Sequence, residues 1–183
     1  MILYVFIAIV VILVIITIFN YNRLVKLRLK TKNAWSQIEI LLQNRYELIP
    51  NLVEVIKGYT KHESEVFERI AVLRTSWANV NSVKEKLQVE SKMSDSLKAV
   101  MAVVEDFPEL KANENFILLQ SELSDLESKI AMSRQIYNDV VTMYNTKLEV
   151  VPSNIFANLF GFKEASLFLI QSKEAKDSVK VQF

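Results

Sequence analysis

Residues 2–19 read ILYVFIAIVVILVIITIF, eighteen in succession without a charge. Fifteen of them are Ile, Leu, Val or Phe. The β-branched content suits a strand, but a strand of this length lies far outside the usual range. As a helix the run rises about 27 Å, close to the ~30 Å hydrocarbon core of a bilayer. At roughly −0.3 to −0.6 kcal/mol per Ile, Leu, Val or Phe near the bilayer centre, insertion is favoured by several kcal/mol. The run predicts a transmembrane helix.

A cleaved secretory signal would need a basic start and a small-x-small cleavage site. Only Met1 precedes the run, and Asn20, Tyr21 and Asn22 follow it. The expectation is a retained anchor over residues 1–21 and a cytoplasmic helical-bundle domain over residues 22–183. Arg23, Lys26, Arg28, Lys30 and Lys32 come next, before the first acid at Glu39. Basic residues beside a span favour the cytoplasmic side. The chain is thus expected in the cell membrane as a single-pass protein, its short N-terminus outside and its C-terminal domain inside. Tyr4 and Tyr21 stand near the two ends of the span, where an amphipathic ring suits the interface.

Charge is uneven along the chain. Residues 39–183 carry 17 bases against 21 acids. That is not the basic excess of a nucleic-acid binder, so no nucleic-acid partner is expected. The five bases of residues 20–38 spread around a helix and read as an ordinary stop-transfer collar. There is no cysteine, which removes disulfides, thiolate chemistry and Cys-ligated metal. Two glycines and three prolines in 183 residues argue for long helices.

The apolar positions Trp35, Ile38, Leu42, Tyr46, Ile49, Val53 and Ile56 are spaced by three or four. Their phase persists across Pro50, predicting a kinked helix that continues from the span and ends at a left-handed Gly58. Thr60 and Glu63 form a capping box before a second helix with Val66, Ile70, Leu73, Trp77 and Val80. Ser82 and Glu85 form another before a third with Leu87, Met93, Leu97, Val100, Val104 and Phe107, stopped by Pro108. A fourth helix opens near Asn113. Its positions Phe116, Leu119, Leu123, Leu126, Ile130, Ser133, Tyr137, Val141, Tyr144, Leu148 and Val151 sustain a coiled-coil-like heptad. Pro152 ends it. Ser153 is expected to cap a short helix through Ile155, Phe156, Leu159 and Phe160, with Gly161 at its end. Residues 164–176 are compatible with helix, and Val179, Val181 and Phe183 with an extended tail. Helices joined by short loops pack antiparallel. The expected fold is all-α: an N-terminal transmembrane helix, an up-and-down antiparallel four-helix bundle and a short C-terminal helix.

Blocks along the chain carry a family resemblance. They are AWSQIE (34–39), NRYELIPNLVE (44–54), KGYTKHE (57–63), FPELKANENF (107–116), LQSEL (119–123) and RQIYN (134–138). YN (144–145), PSN (152–154) and FGF (160–162) complete them. In this order and spacing the chain resembles the LemA family. The resemblance implies a bacterial single-pass membrane protein with an outer N-terminus and an inner helical bundle. It brings no catalytic residues across. It points to other membrane proteins as partners, a membrane zinc protease among them.

Reactive equipment is sparse. His62 is the sole histidine, and HESEV (62–66) departs from HExxH because Val66 stands where the second ligand belongs. A di-iron bundle site would need Glu-x-x-His twice. No phosphate loop, nucleophile elbow or oxyanion loop is present. Glu63, Glu65 and Glu68, Glu105, Asp106 and Glu109, and Glu122 with Asp125 read as solvated helix faces. No catalytic, metal or cofactor residues are therefore assigned. The informative polar residues lie on the long helices. Tyr137-Asn138 and Tyr144-Asn145 repeat at seven, as do Asn44 and Asn51, and Arg45 and Arg134 can meet acids inside a bundle. Arg45, Tyr46, Arg134, Tyr137, Asn138, Tyr144 and Asn145 are read either as a register-setting polar layer or as a groove for a ligand or partner. The expected function is a non-catalytic scaffold or adaptor for membrane complexes, with the lipid bilayer and other membrane proteins as partners. Self-association into an oligomer is left open. The alternative is a membrane-coupled sensor of a small ligand or stress.

Overall fold

The computed structural model describes residues 1–59, 64–80 and 82–168. Among these the chain is all helix, turn and coil, without strands. Six helices follow in order: α1 (Ile2–Lys57), α2 (Ser64–Asn79), α3 (Val83–Val104), α4 (Pro108–Lys111), α5 (Glu114–Glu149) and α6 (Ser153–Leu159). α1 is long and apolar enough to cross a membrane, and none of its most apolar eighteen-residue window is buried in the protein. Pro50 lies inside it and does not stop it. The ring removes the donor that would have reached the Tyr46 carbonyl. Burial of Ile49, Leu52 and Ile56 around it, at about 1.5–3 kcal/mol each, offsets that loss.

Two compact units are present, and the division falls inside α1 and inside α5. The first comprises Met1–Glu47 with Glu122–Leu167. Here α1 and α5 run antiparallel. Trp35 meets Tyr137 edge to face with centroids 5.7 Å apart, and Arg45 meets Glu127 at 2.7 Å. Ten residues forward on α1 are ten residues back on α5, so the two helices keep one register between these contacts. Leu24, Ile38 and Leu42 of α1 and Ile130, Val141 and Tyr144 of α5 are buried in this unit.

The second unit contains Leu48–Ser121. α2 packs on α3, and α4 lies beside α3. Ile70, Leu73 and Trp77 of α2 and Met93, Leu97, Val100 and Val104 of α3 are buried at steps of three and four. The Lys86 ammonium sits 5.3 Å above the Trp77 ring. Asn113 caps α5: its Oδ1 accepts from the Phe116 amide at 3.1 Å, while its Nδ2 donates to the Tyr59 hydroxyl. α5 buries Phe116, Leu123, Ile130, Tyr137 and Tyr144, one residue every seven.

Several local expectations are corrected. Gly58 does not take a left-handed conformation; the end of α1 closes through a Tyr59 amide bond to the Ile56 carbonyl at 2.9 Å. Leu52, not Val53, takes the buried place after Ile49, because a step of three keeps the stripe on the core side. Ser82 stands at the N-cap of α3 in extended conformation but its hydroxyl makes no capping bond. Pro108 starts α4 instead of merely ending α3, its fixed φ suiting the first helical position. Ser153 is the first residue of α6, and its hydroxyl donates back to the Val150 carbonyl at 2.9 Å. Val151 is exposed, so the buried stripe of α5 ends before it. Residues 164–168 are not helical. The Thr60–Glu63 box, His62 and the stretch holding Val179, Val181 and Phe183 lie outside the described residues.

Candidate functional site

Residues 162–168 run without regular structure after α6, and α5 holds them by backbone contacts. The Tyr144 hydroxyl donates to the Lys163 carbonyl at 2.9 Å. The Tyr137 hydroxyl donates to the Ser166 carbonyl at 2.8 Å. Between them the Asn145 amide donates to the Ala165 carbonyl at 2.9 Å and accepts from the Ala165 amide at 3.0 Å. Seven helical residues rise about 10.5 Å and three extended residues about 10 Å. The heptad spacing of the tyrosines therefore matches a three-residue step of extended chain.

These contacts reach main-chain atoms alone. Such a groove selects an extended backbone and is indifferent to side-chain identity. Tyr137 and Tyr144 are 2% exposed, and burial raises both phenol pKa values above the ordinary 10.0; the Arg28 charge offsets part of the rise at Tyr144. Both hydroxyls are therefore protonated donors at neutral pH.

The turn into the segment is built by sequence. The Phe162 amide bonds to the Ala157 carbonyl at 2.9 Å and the Gly161 amide to the Asn158 carbonyl at 3.2 Å. This is the Schellman arrangement, with Gly161 at φ 68°. It delivers the flanking rings to α1: Phe160 and Phe162 lie 4.9 and 5.9 Å from Tyr21, both edge on, and the Arg28 guanidinium sits 5.1 Å from the Phe162 centroid.

Arg45 and Tyr46 form a separate group. Arg45 is 0% exposed, bonds Glu127 Oε1 at 2.7 Å and lies 5.7 Å from the Tyr46 ring, while the Glu127 side chain is 39% exposed. In the α1–α5 register this level is ten residues, about 15 Å, from Trp35 and Tyr137. Arg134 is half-buried on α5 between the two groups, and Asn138 is half-buried next to Tyr137. Tyr137, Tyr144 and Asn145 are thus gathered around residues 163–166, while Arg45 meets Glu127 with its guanidinium beside the Tyr46 ring. Sequence reasoning named neither Glu127 nor the 163–166 backbone as a partner. It also missed Glu90, 0% exposed on α3 and accepting from the Ser94 hydroxyl at 3.1 Å. The three-residue setting of Phe160-Gly161-Phe162 was the one local signal that a fixed turn lay here.

Magnetosome protein MamQ 2 of Paramagnetospirillum magneticum is 25% identical over 187 residues, which cover 88% of this chain and 68% of that protein. MamQ 1 of the same organism is similar to the same degree. Protein LemA of Metamycoplasma hominis is 23% identical over 157 residues, covering 85% of this chain and 72% of its own. The LemA family model matches residues 34–183, which include α5, α6 and the segment they hold, and the chain belongs to the LemA family.

Proposed function

We propose that the chain is a non-catalytic, membrane-tethered adaptor that presents a helical body to other membrane proteins. The observation that carries this reading is the unbroken α1, one helix from the apolar run to Lys57. A body joined to its anchor by helix instead of by a flexible linker keeps a fixed height and azimuth at the membrane. The tether also raises the local concentration of its surface for neighbours in the same bilayer. The five bases of residues 20–38 support a cytoplasmic body and an outer N-terminus. The antiparallel α1–α5 pair of the first unit and the packed α2–α3 pair of the second each support a helical body. The family resemblance adds a membrane zinc protease to the candidate partners, and a second copy of the chain is another.

Proximity labelling from intact membranes tests the reading. The full-length chain should label a small set of membrane proteins well above a control carrying residues 1–33 alone. Equal labelling by the two would overturn it.

A second reading rests on a cavity of about 370 Å³ beside Pro50, lined by Ile49, Val53, Glu54, Lys57, Ile70 and Arg74. Its volume suits a small ligand at the point where α1 lacks a backbone bond, as a membrane-coupled sensor requires. Ligand-dependent thermal shifts that Ile70→Trp abolishes would favour the sensor.

A further inference from the structure

The register of α1 against α5 fixes where the first unit ends. Trp35 with Tyr137 and Arg45 with Glu127 share one register, and the action of Arg28 on Tyr144 follows the same one. Continued toward the N-terminus, it places Glu149, the last residue of α5, level with Arg23. The apolar run ends at Phe19, four residues or about 6 Å along the axis from Arg23. The turn after α5 and the whole of α6 therefore lie where the span leaves the hydrocarbon.

The residues at that level form an uncharged stretch. Residues 150–162, VVPSNIFANLFGF, hold no charge, and Glu149 and Lys163 bound them. α6 turns Ser153 and Ala157 inward, half-buries Phe156 and leaves Ile155 and Leu159 outside. Val151 is 77% exposed, Ile155 61%, Leu159 72% and Phe160 45%. A water-facing helix would do the reverse. Phe160 and Phe162 rest on Tyr21, and Arg28 covers Phe162. Aromatic rings with adjacent cations are what the headgroup boundary of a bilayer accommodates.

We propose that α6 and the Val150–Val151 turn dock into the headgroup–acyl boundary of the bilayer that α1 spans, making a second, interfacial contact beside the anchor. Val151, Ile155, Leu159 and Phe160 enter the acyl margin, while exposed Arg23 and Lys26 face lipid phosphates. The continuity of this surface with the span selects lipid as the occupant. Two contacts fix the tilt of α1, which one helix alone leaves free. The inference rests on α1 being a membrane anchor.

The chain has no cysteine, so single substitutions label uniquely. Full-length Leu159→Cys, Ser128→Cys and Ile9→Cys are each coupled to an environment-sensitive fluorophore. They are then reconstituted in phosphatidylcholine–phosphatidylglycerol vesicles. Quenching is measured with aqueous iodide and with lipids brominated at shallow or deep acyl positions. Docking predicts that the Leu159→Cys label is quenched severalfold more by shallow than by deep bromines, and severalfold less by iodide than the exposed Ser128→Cys label. Free access of iodide to the Leu159→Cys label, while Ile9→Cys is quenched by deep bromines, overturns docking and leaves the anchor standing. Shielding of that label from both quenchers also overturns docking and assigns the face to a second copy or another protein. Absence of bromine quenching at Ile9→Cys overturns the anchor itself.

Discussion

Asn145 and Ala165 exchange two hydrogen bonds, the side-chain amide donating to the carbonyl and accepting from the backbone N–H. A helix side chain here does what a neighbouring strand would do for an extended segment. Both main-chain groups of Ala165 are satisfied although no strand lies beside it.

Asn145→Leu keeps a similar branched shape and removes both bonds. At about 0.5–1.5 kcal/mol for each hydrogen bond, the segment should be destabilised by roughly 1–3 kcal/mol. Native-state hydrogen exchange should show the Ala165 amide losing protection while the Ile130 amide, deep in α5, keeps its own. Loss of protection at both positions would mean that the amide supports the whole helix pair.

The two buried tyrosines make this contact pH-dependent. Burial raises their folded-state pKa values, so below about pH 10 both states hold the phenolic proton and the stabilisation is complete. As the pH climbs past that point the unfolded chain ionises first and binds fewer protons than the folded one, so stability falls. Tyr137→Phe should cost about 1 kcal/mol near neutrality through the lost bond to Ser166. It should also flatten the alkaline fall. Thermal midpoints of wild type and variant should therefore converge as the pH rises above about 10. Parallel curves would refute the shift.

Arg45 is fully buried and meets a carboxylate that is 39% exposed. Removing one partner of a fully buried pair costs about 3–5 kcal/mol, chiefly from the charge left behind. Water can still reach the Glu127 side of this pair, so Glu127→Ala should cost less, about 1–3 kcal/mol. The double variant Arg45→Met with Glu127→Leu should recover most of that loss in denaturant unfolding, because neither charge of the pair then remains. Failure to recover would indicate that Arg45 is held by other groups in its surroundings.

How much of this was legible in the sequence follows from the range of each interaction. The helices were readable because steps of three and four from Trp35 to Ile56 and from Phe116 to Leu148 report one buried face wherever that face packs. Pro108 was misread because proline both ends and begins helices, and its neighbours do not decide between the two. Residues 164–168 contain good helix formers, Glu164, Ala165 and Leu167. Local propensity yielded to Tyr137, Tyr144 and Asn145, which reach their backbone from α5. The tyrosine and asparagine repeat was visible at a spacing of seven. Its partner was not, because carbonyl oxygens are the same in every residue and leave no mark in sequence. Glu127 became visible as the partner of Arg45 only when the α1–α5 register was fixed.

Gly161 offers the sharpest separation of backbone from packing. Its φ of 68° lies in the left-handed region, and a Cβ added there would meet nothing within 4 Å. Any cost of Gly161→Ala is therefore conformational, about 1–2 kcal/mol for a left-handed L-residue. The smaller freedom of alanine in the unfolded chain recovers some of this, by about 0.4–1 kcal/mol. Asparagine tolerates the region better, so Gly161→Asn should fall between wild type and alanine. The loss should appear first at the Phe162 amide, whose bond to the Ala157 carbonyl closes the turn. Exchange at that amide should quicken in the order Gly, Asn, Ala. The Tyr21 ring should loosen in parallel, since Phe160 and Phe162 reach it only through this turn. An unchanged Phe162 amide in Gly161→Ala would mean that the aromatic contacts with Tyr21, and not the glycine, hold the chain in its left-handed bend.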